Sequence, residues 1–178
     1  GAPLRGITAL LPAQETSWYT RTITTTTSGA VQSPGFPSFN PLTSSQLCLE
    51  PKYGDKFSMP HGLTGYYDYK QGLECASEQG KPALLDFKGH ACANCKLMEA
   101  RVWSDPEVLK RLKENFVIVA LYLDDRTQLP ESEWVISDLD GKTKKTIGKI
   151  NEDLEISKFR TNAMPLYVIT DHEGNPLN

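Results

Sequence analysis

One short stretch limits the fold of this chain more than any other. It runs Ala83-Leu84-Leu85-Asp86-Phe87, then Lys88-Gly89-His90-Ala91, then Cys92-Ala93-Asn94-Cys95-Lys96. The apolar run, interrupted by a single carboxylate, reads as a buried strand. It ends in a short loop, and the residues from Lys96 to Trp103 have the composition of a helix. A strand that delivers two cysteines, two residues apart, to the start of a helix is a redox arrangement. There the first sulfur faces unpaired amides and the positive end of the peptide dipoles, which favours its thiolate. Cys92 can attack a disulfide, and Cys95, one turn on, resolves the mixed disulfide.

Other chemistries fit the pair less well. A zinc site needs two further ligands, usually clustered, whereas Cys48, Cys75, His61 and His172 are scattered singly. Attachment of a c-type haem needs a histidine directly after the second cysteine, and that residue is Lys96. A structural staple across two residues closes too short a loop to stabilise much. The reading is a redox-active dithiol that works with no metal and no other cofactor.

Two further positions bear on that chemistry. Asp86 sits in an apolar run, where a charge costs free energy. Either strand alternation turns it to solvent, or it is a partly buried carboxylate of raised pKa, placed to move the proton of Cys95. Pro165 follows Met164 and precedes the apolar run Leu166 to Thr170. It is either a strand-start proline or a cis proline whose neighbouring backbone pairs with an extended substrate. Cys48 and Cys75 stay open: Cys75 is a lone buried helix cysteine, or the two form a disulfide that ties the N-terminal segment down.

The rest of the domain alternates helix and strand patterns. Tyr66, Tyr69, Leu73 and Ala76 recur at helical spacing up to Gln79, and Gly80-Lys81-Pro82 ends that helix. Asp105 is an N-cap with Pro106 at the first helical position, and Val108, Leu109 and Leu112 form the apolar stripe. Residues 116–123 are the strongest strand signal in the chain. Residues 126–150 read as a hairpin insertion, with strands at 134–137 and 142–147 around Asp140-Gly141. Residues 151–160 form a helix that turns Leu154, Ile156 and Phe159 inward. After the strand at 166–170, Asp171 to Asn175 form a turn that normally feeds a partner strand, so the C-terminal end is expected to be cut.

Residues 1–60 are different in kind. A threonine-rich run at 22–27 and the Pro, Gly and Ser density of 33–41 describe an arm or linker with room for one strand near residues 18–25. The alternative is an arm that packs back through Trp18, Tyr19, Phe36 and Phe39. The domain itself is placed at 61–178. A net charge of -3 offers no basic surface for nucleic acid. No apolar run approaches the roughly 20 residues of a membrane helix, and no signal peptide is visible. A start at Gly1 rather than Met suggests a piece of a longer protein.

These residues resemble the thioredoxin-fold family. Asp86-Phe87 followed by Cys92-x-x-Cys95-Lys96 is similar to its active-site strand and loop, with the aspartate six positions before the first cysteine. Met164-Pro165 resembles its cis-proline loop. A closer likeness is to the C-terminal thioredoxin-like domain of DsbD-type thiol:disulfide interchange proteins. It is carried by Lys81-Pro82 before Leu85-Asp86-Phe87, by Met98-Glu99, by Val102-Trp103-Ser104-Asp105-Pro106-Glu107-Val108, by Leu121 to Asp125 and by Pro165 to Val168, and it covers residues 60–178.

The resemblance implies an α/β thioredoxin-like fold with a central mixed sheet flanked by helices. It makes Cys92 the nucleophile, Cys95 the resolving thiol, Asp86 the proton shuttle and Pro165 the cis proline. The implied activity is that of a protein-disulfide reductase linked to cytochrome c biogenesis. It would be periplasmic and tethered to the inner membrane in the full-length protein. Electrons would come from the transmembrane domain of the same protein and pass to the thiols and disulfides of periplasmic partners. The arm is then the linker from the last membrane helix, and the isolated domain is a monomer. Ala91 stands where thioredoxins carry Trp, Ala93-Asn94 stand in place of Gly-Pro, and Leu121 stands where a lysine is often found. Ala91, Ala93, Asn94 and Met164 are the expected substrate contacts. Two other classes compete: a non-catalytic interaction domain that binds extended chains, and a metal-handling C-x-x-C protein.

Overall fold

The computed structural model describes residues 47–177. At its centre is a three-stranded mixed sheet in the order β2-β1-β5. Strand β1 (Ala83–Lys88) runs parallel to β2 (Val117–Tyr122), with Asp86 opposite Ala120. It runs antiparallel to β5 (Leu166–Thr170), with Asp86 opposite Tyr167. Every residue of β1 and β2 is buried, as expected of strands covered on both faces.

The pleat sorts β1 into two sets. Ala83, Leu85 and Phe87 pack with Val117, Val119 and Leu121 against α1 (Tyr69–Gln79) and α4 (Ile147–Phe159), through Cys75, Ala76, Leu154 and Phe159. Leu84 faces the other way, where Ile118, Trp103 and Leu112 close a second cluster. Trp103 ends a π-helical turn (Glu99–Trp103) that continues α2 (Ala93–Met98), and Leu112 belongs to α3 (Pro106–Asn115). The Asp105 carboxylate caps α3 through the amides of Glu107 and Val108, with Pro106 in the first turn, as the sequence suggests.

Three expected boundaries shift, each for a local reason. The first helix starts at Tyr69, because Asp68 caps it by accepting from the Gln71 amide. Tyr66 pairs instead with β2, through its amide to the Ile118 carbonyl and its carbonyl to the Ala120 amide. The last helix starts at Ile147 rather than 151, because the Thr146 side chain caps it at the Lys149 amide. That early start shortens the hairpin to β3 (Val135–Ile136) and β4 (Thr143–Lys144). Gly148 permits the close approach at the helix start: a Cβ there would lie 2.5 Å from the Leu123 carbonyl oxygen. After β5, the turn at Asp171 to Asn175 sends Pro176 back antiparallel against Thr170.

Of the expected arm, the threonine run, the strand near residues 18–25 and the aromatics Trp18, Tyr19, Phe36 and Phe39 lie outside the described residues. Residues 47–60 pack on the domain. Cys48 is disulfide-bonded to Cys75 of α1. The Cys48 and Leu49 amides both donate to the Tyr66 hydroxyl. Phe57 is buried with Tyr67, Ala120, Tyr122 and Ile147. Among the described residues, no helix is long and apolar enough to cross a membrane.

Candidate active site

The site begins where β1 runs out. Gly89 follows, and a Cβ there would lie 2.7 Å from Met164 Sδ and 2.9 Å from Asp124 Oδ2. A side chain at 89 would therefore wedge the loop away from both neighbours. The loop is held by Asp124, whose carboxylate accepts the His90 amide at 2.8 Å and the Ala91 amide at 3.0 Å. Burial opposes ionisation there, but the two amides and His90 outweigh it and hold the Asp124 carboxyl below its usual value. His90 Nε2 lies 3.0 Å from Asp125 Oδ2. The His90 ring stacks on Tyr122, and Tyr122 stacks on Phe57, each with centroids 4.5 Å apart.

Cys92 and Cys95 are joined by a disulfide with their Cα atoms 5.3 Å apart. Cys92 is the N-cap of α2, and its sulfur accepts the Cys95 amide at 3.1 Å. The two sulfurs differ in access. Cys92 is half-buried, whereas Cys95 is 1% exposed. Ala91, Ala93 and Asn94 are exposed around them. The Met164–Pro165 peptide is cis, Met164 is exposed and Pro165 half-buried. The contact of Met164 with Gly89 brings the proline loop against the cysteine loop.

Behind the disulfide lies a buried charge cluster. Asp86 is 1% exposed, so alternation turns it into the second layer rather than to solvent. Its Oδ2 lies 3.6 Å from Lys88 Nζ, and its Oδ1 has no hydrogen-bond partner among the described residues. Burial pushes the Asp86 carboxyl up to about 7; Lys88 pulls it down and Glu99 pushes it up. Lys88 is itself buried and ion-paired with Glu99. Its ammonium sits 5.4 Å from the Tyr122 ring centroid and 6.0 Å from that of Trp103. Burial lowers the Lys88 pKa, but the carboxylates of Asp86 and Glu99 and the Tyr122 hydroxyl outweigh it, and the net shift is upward. The Glu99 amide bonds the Cys95 carbonyl, which places the two side chains one helical turn apart on a shared face. The polar cluster therefore runs from Glu99 through Lys88 to Asp86, with Glu99 one helical turn beyond Cys95.

Sequence reasoning passed over Lys88, Glu99 and Asp124. For Lys88 the signal was present: Asp86 and Lys88 are two residues apart on a strand and so share a face, and a buried charge calls for a partner of opposite sign. Asp124 and Glu99 become visible only once loop and helix are placed. Leu121, where a lysine is often found, is fully buried in the apolar core. Among the described residues, no group of three or more His, Cys, Asp or Glu is placed to hold a metal ion. The redox group is the cysteine pair itself.

No curated protein sequence matches the chain. Among solved structures, the chain is similar to a DsbH oxidoreductase at 19% identity and a TM-score of 0.47, with 69% of this chain and 77% of that one covered. It is similar to a thioredoxin from Thermus thermophilus at 23% identity and a TM-score of 0.39, covering 59% of this chain and 62% of that one. The family described as "Thioredoxin-like domain" matches residues 69–178. With α1, the cysteine strand and loop, α4 and the proline loop all inside that match, the chain belongs to the thioredoxin-like domain family.

Proposed function

We propose that this chain is a protein-disulfide reductase of the DsbD type. In this reading it is a periplasmic domain tethered to the inner membrane in its full-length protein. It receives two electrons from the transmembrane part of that protein and passes them to disulfides of periplasmic partners, including those of cytochrome c biogenesis. The family membership and the Cys92–Cys95 disulfide support thiol–disulfide exchange. The residues shared with DsbD-type domains, from Lys81-Pro82 to Val102-Trp103-Ser104-Asp105-Pro106, support the finer reading.

The observation that carries the chemistry is the asymmetry of the two sulfurs, one half-exposed and one buried. In the reduced protein the Cys92 thiolate attacks a partner disulfide. A new S–S bond forms, the old one breaks, and the departing partner sulfur takes up a proton. Cys95 then loses its proton, for which the buried carboxyl of Asp86 is the acceptor in this reading, and attacks Cys92. The partner leaves with two thiols, and the Cys92–Cys95 disulfide is restored. Ala91, Ala93, Asn94 and Met164 form the surface the partner meets, and Pro165 sets the loop beside it.

The test is equilibration of the Cys92/Cys95 pair with glutathione, together with two variants. A potential near about -270 mV supports a reductant, and one near about -120 mV sinks that direction. Cys92→Ser should abolish turnover, while Cys95→Ser should accumulate a mixed disulfide with the partner. A Cys95→Ser protein that traps nothing would overturn the assignment of nucleophile and resolving thiol.

A further inference from the structure

A cleft of about 430 Å³ opens beside the cysteine loop, between the end of β2 and α4. Met164 and Asp124 line it. They are the two residues against which Gly89 closes, and Asp124 holds the Ala91 amide next to Cys92, so the cleft borders the loop that carries the disulfide. Four carboxylates line the cleft, those of Asp124, Asp125, Glu152 and Glu155, against the two cations of Arg126 and Lys149.

Most of these charges are committed. Asp124 holds the His90 and Ala91 amides. Asp125 accepts the Thr127 amide at 2.9 Å and faces His90. Glu152 is paired with Lys149 at 2.5 Å. Glu155 is not committed. Its residue is 0% exposed, and neither carboxyl oxygen has a hydrogen-bond partner among the described residues. Burial, and after it the neighbouring carboxylate of Glu152, pushes its pKa up to about 7. A buried acid with no hydrogen-bond partner among the described residues costs free energy in the empty domain, and a cationic guest removes that cost.

We infer that the cleft takes a lysine or arginine side chain of the partner polypeptide, close in sequence to the reacting cysteine, with Glu155 as its buried anchor and Glu152 at the rim. The proposal rests on the disulfide-exchange reading, since the partner must already lie along the proline loop. It goes further by naming what that partner carries. A neutral or acidic residue at the same place leaves Glu155 unpaired and gains nothing.

The experiment is single-turnover reduction of synthetic peptide disulfides by the full chain with Cys92 and Cys95 reduced. Ten-residue peptides, dimerised through a central cysteine, carry Lys, Gln or Glu at each of the three positions on either side. At one position at least, Lys should react about tenfold faster than Gln, the ratio expected of about 1.4 kcal/mol, with Glu slowest. Glu155→Gln should remove the advantage and leave the rate with Gln peptides unchanged. Glu152→Lys alters only the rim and should remove the advantage too, which keeps the test decisive should Glu155→Gln not fold. Equal rates for Lys and Gln at every position overturn the proposal, as does an advantage that survives both variants. Failure to reduce any peptide strikes the disulfide-exchange reading itself.

Discussion

Lys88 Nζ lies 3.6 Å from Asp86 Oδ2, and both side chains leave β1 on one face into space closed to solvent. The pair is incomplete by design of the chain: Glu99 also binds the ammonium, so one cation serves two acids. A single positive charge cannot fully compensate two carboxylates in a medium of low dielectric. Burial above all, with the Glu99 carboxylate adding to it, keeps the proton on Asp86, the deeper acid, up to about pH 7. An acid poised there can both take and return a proton at neutral pH.

The first prediction concerns Asp86→Asn. In the folded protein the carboxyl titrates at about 7, against 3.8 for an ordinary aspartate. Between about pH 4 and pH 7 the unfolded chain has lost this proton while the folded chain still holds it, so stability falls as pH rises through that window. Asn removes the slope. Urea unfolding at pH 4.5 and pH 8 should show the difference between variant and wild type moving by about 2–4 kcal/mol in the variant's favour. A difference that does not change with pH would mean that Asp86 is not held protonated. The same variant should flatten the pH profile of disulfide reduction near 7.

Lys88→Met leaves the acids without their cation. The expected loss of stability is about 3–5 kcal/mol, the usual cost of breaking a buried pair from one side. Lys88 pulls the Asp86 carboxyl down, so its titration should move further above 7 in carbon NMR. An unchanged or lowered value would show that the two groups do not communicate.

Asp124→Ala tests the loop. The wild-type carboxyl is held below its usual value, so its contribution is present above about pH 4 and is lost as pH falls through the folded value. At pH 7 the variant should lose about 1 kcal/mol, a figure discounted for the exposure of the group. Amide hydrogen exchange at His90 and Ala91 should quicken most, and unaltered exchange there would contradict the hydrogen bonds to Asp124.

Replacing Cys48 and Cys75 together by Ala opens a loop spanning 27 residues. Chain-entropy reasoning gives a loss of about 3.5 kcal/mol, to be read from the urea midpoint. Exchange at Cys92 should proceed as before, because Phe57, which backs the cysteine loop, is held by its own packing with Tyr67, Ala120, Tyr122 and Ile147. A slowed exchange would show that the two disulfides are coupled.

Much of the sheet and the cysteine loop was legible because local chemistry and global fold agree there. The apolar run ending at Phe87, the Asp105-Pro106 cap and the Gly80 stop each mean one thing in sequence. Tyr66 misled because its spacing suits the helix face, while its backbone is taken by Ile118 and Ala120, far along the chain. The partners of Lys88 are a strand neighbour and a residue one turn beyond Cys95, a relation that exists only after α2 is docked. Glu155 showed the same limit: on a helix it reads as one more surface acid, and only the packing of α4 on β2 buries it.

The stack Phe57–Tyr122–His90 reaches outside the region shared by the family, which begins at residue 69. The wall behind the cysteine loop is thus made partly from sequence upstream of the family match. Transplanting residues 89–96 onto another thioredoxin-like scaffold would carry the cysteines but leave their backing behind. The reactivity of this disulfide is not a portable cassette. The loop and the upstream aromatic Phe57 that stacks behind it through Tyr122 belong to one packed unit.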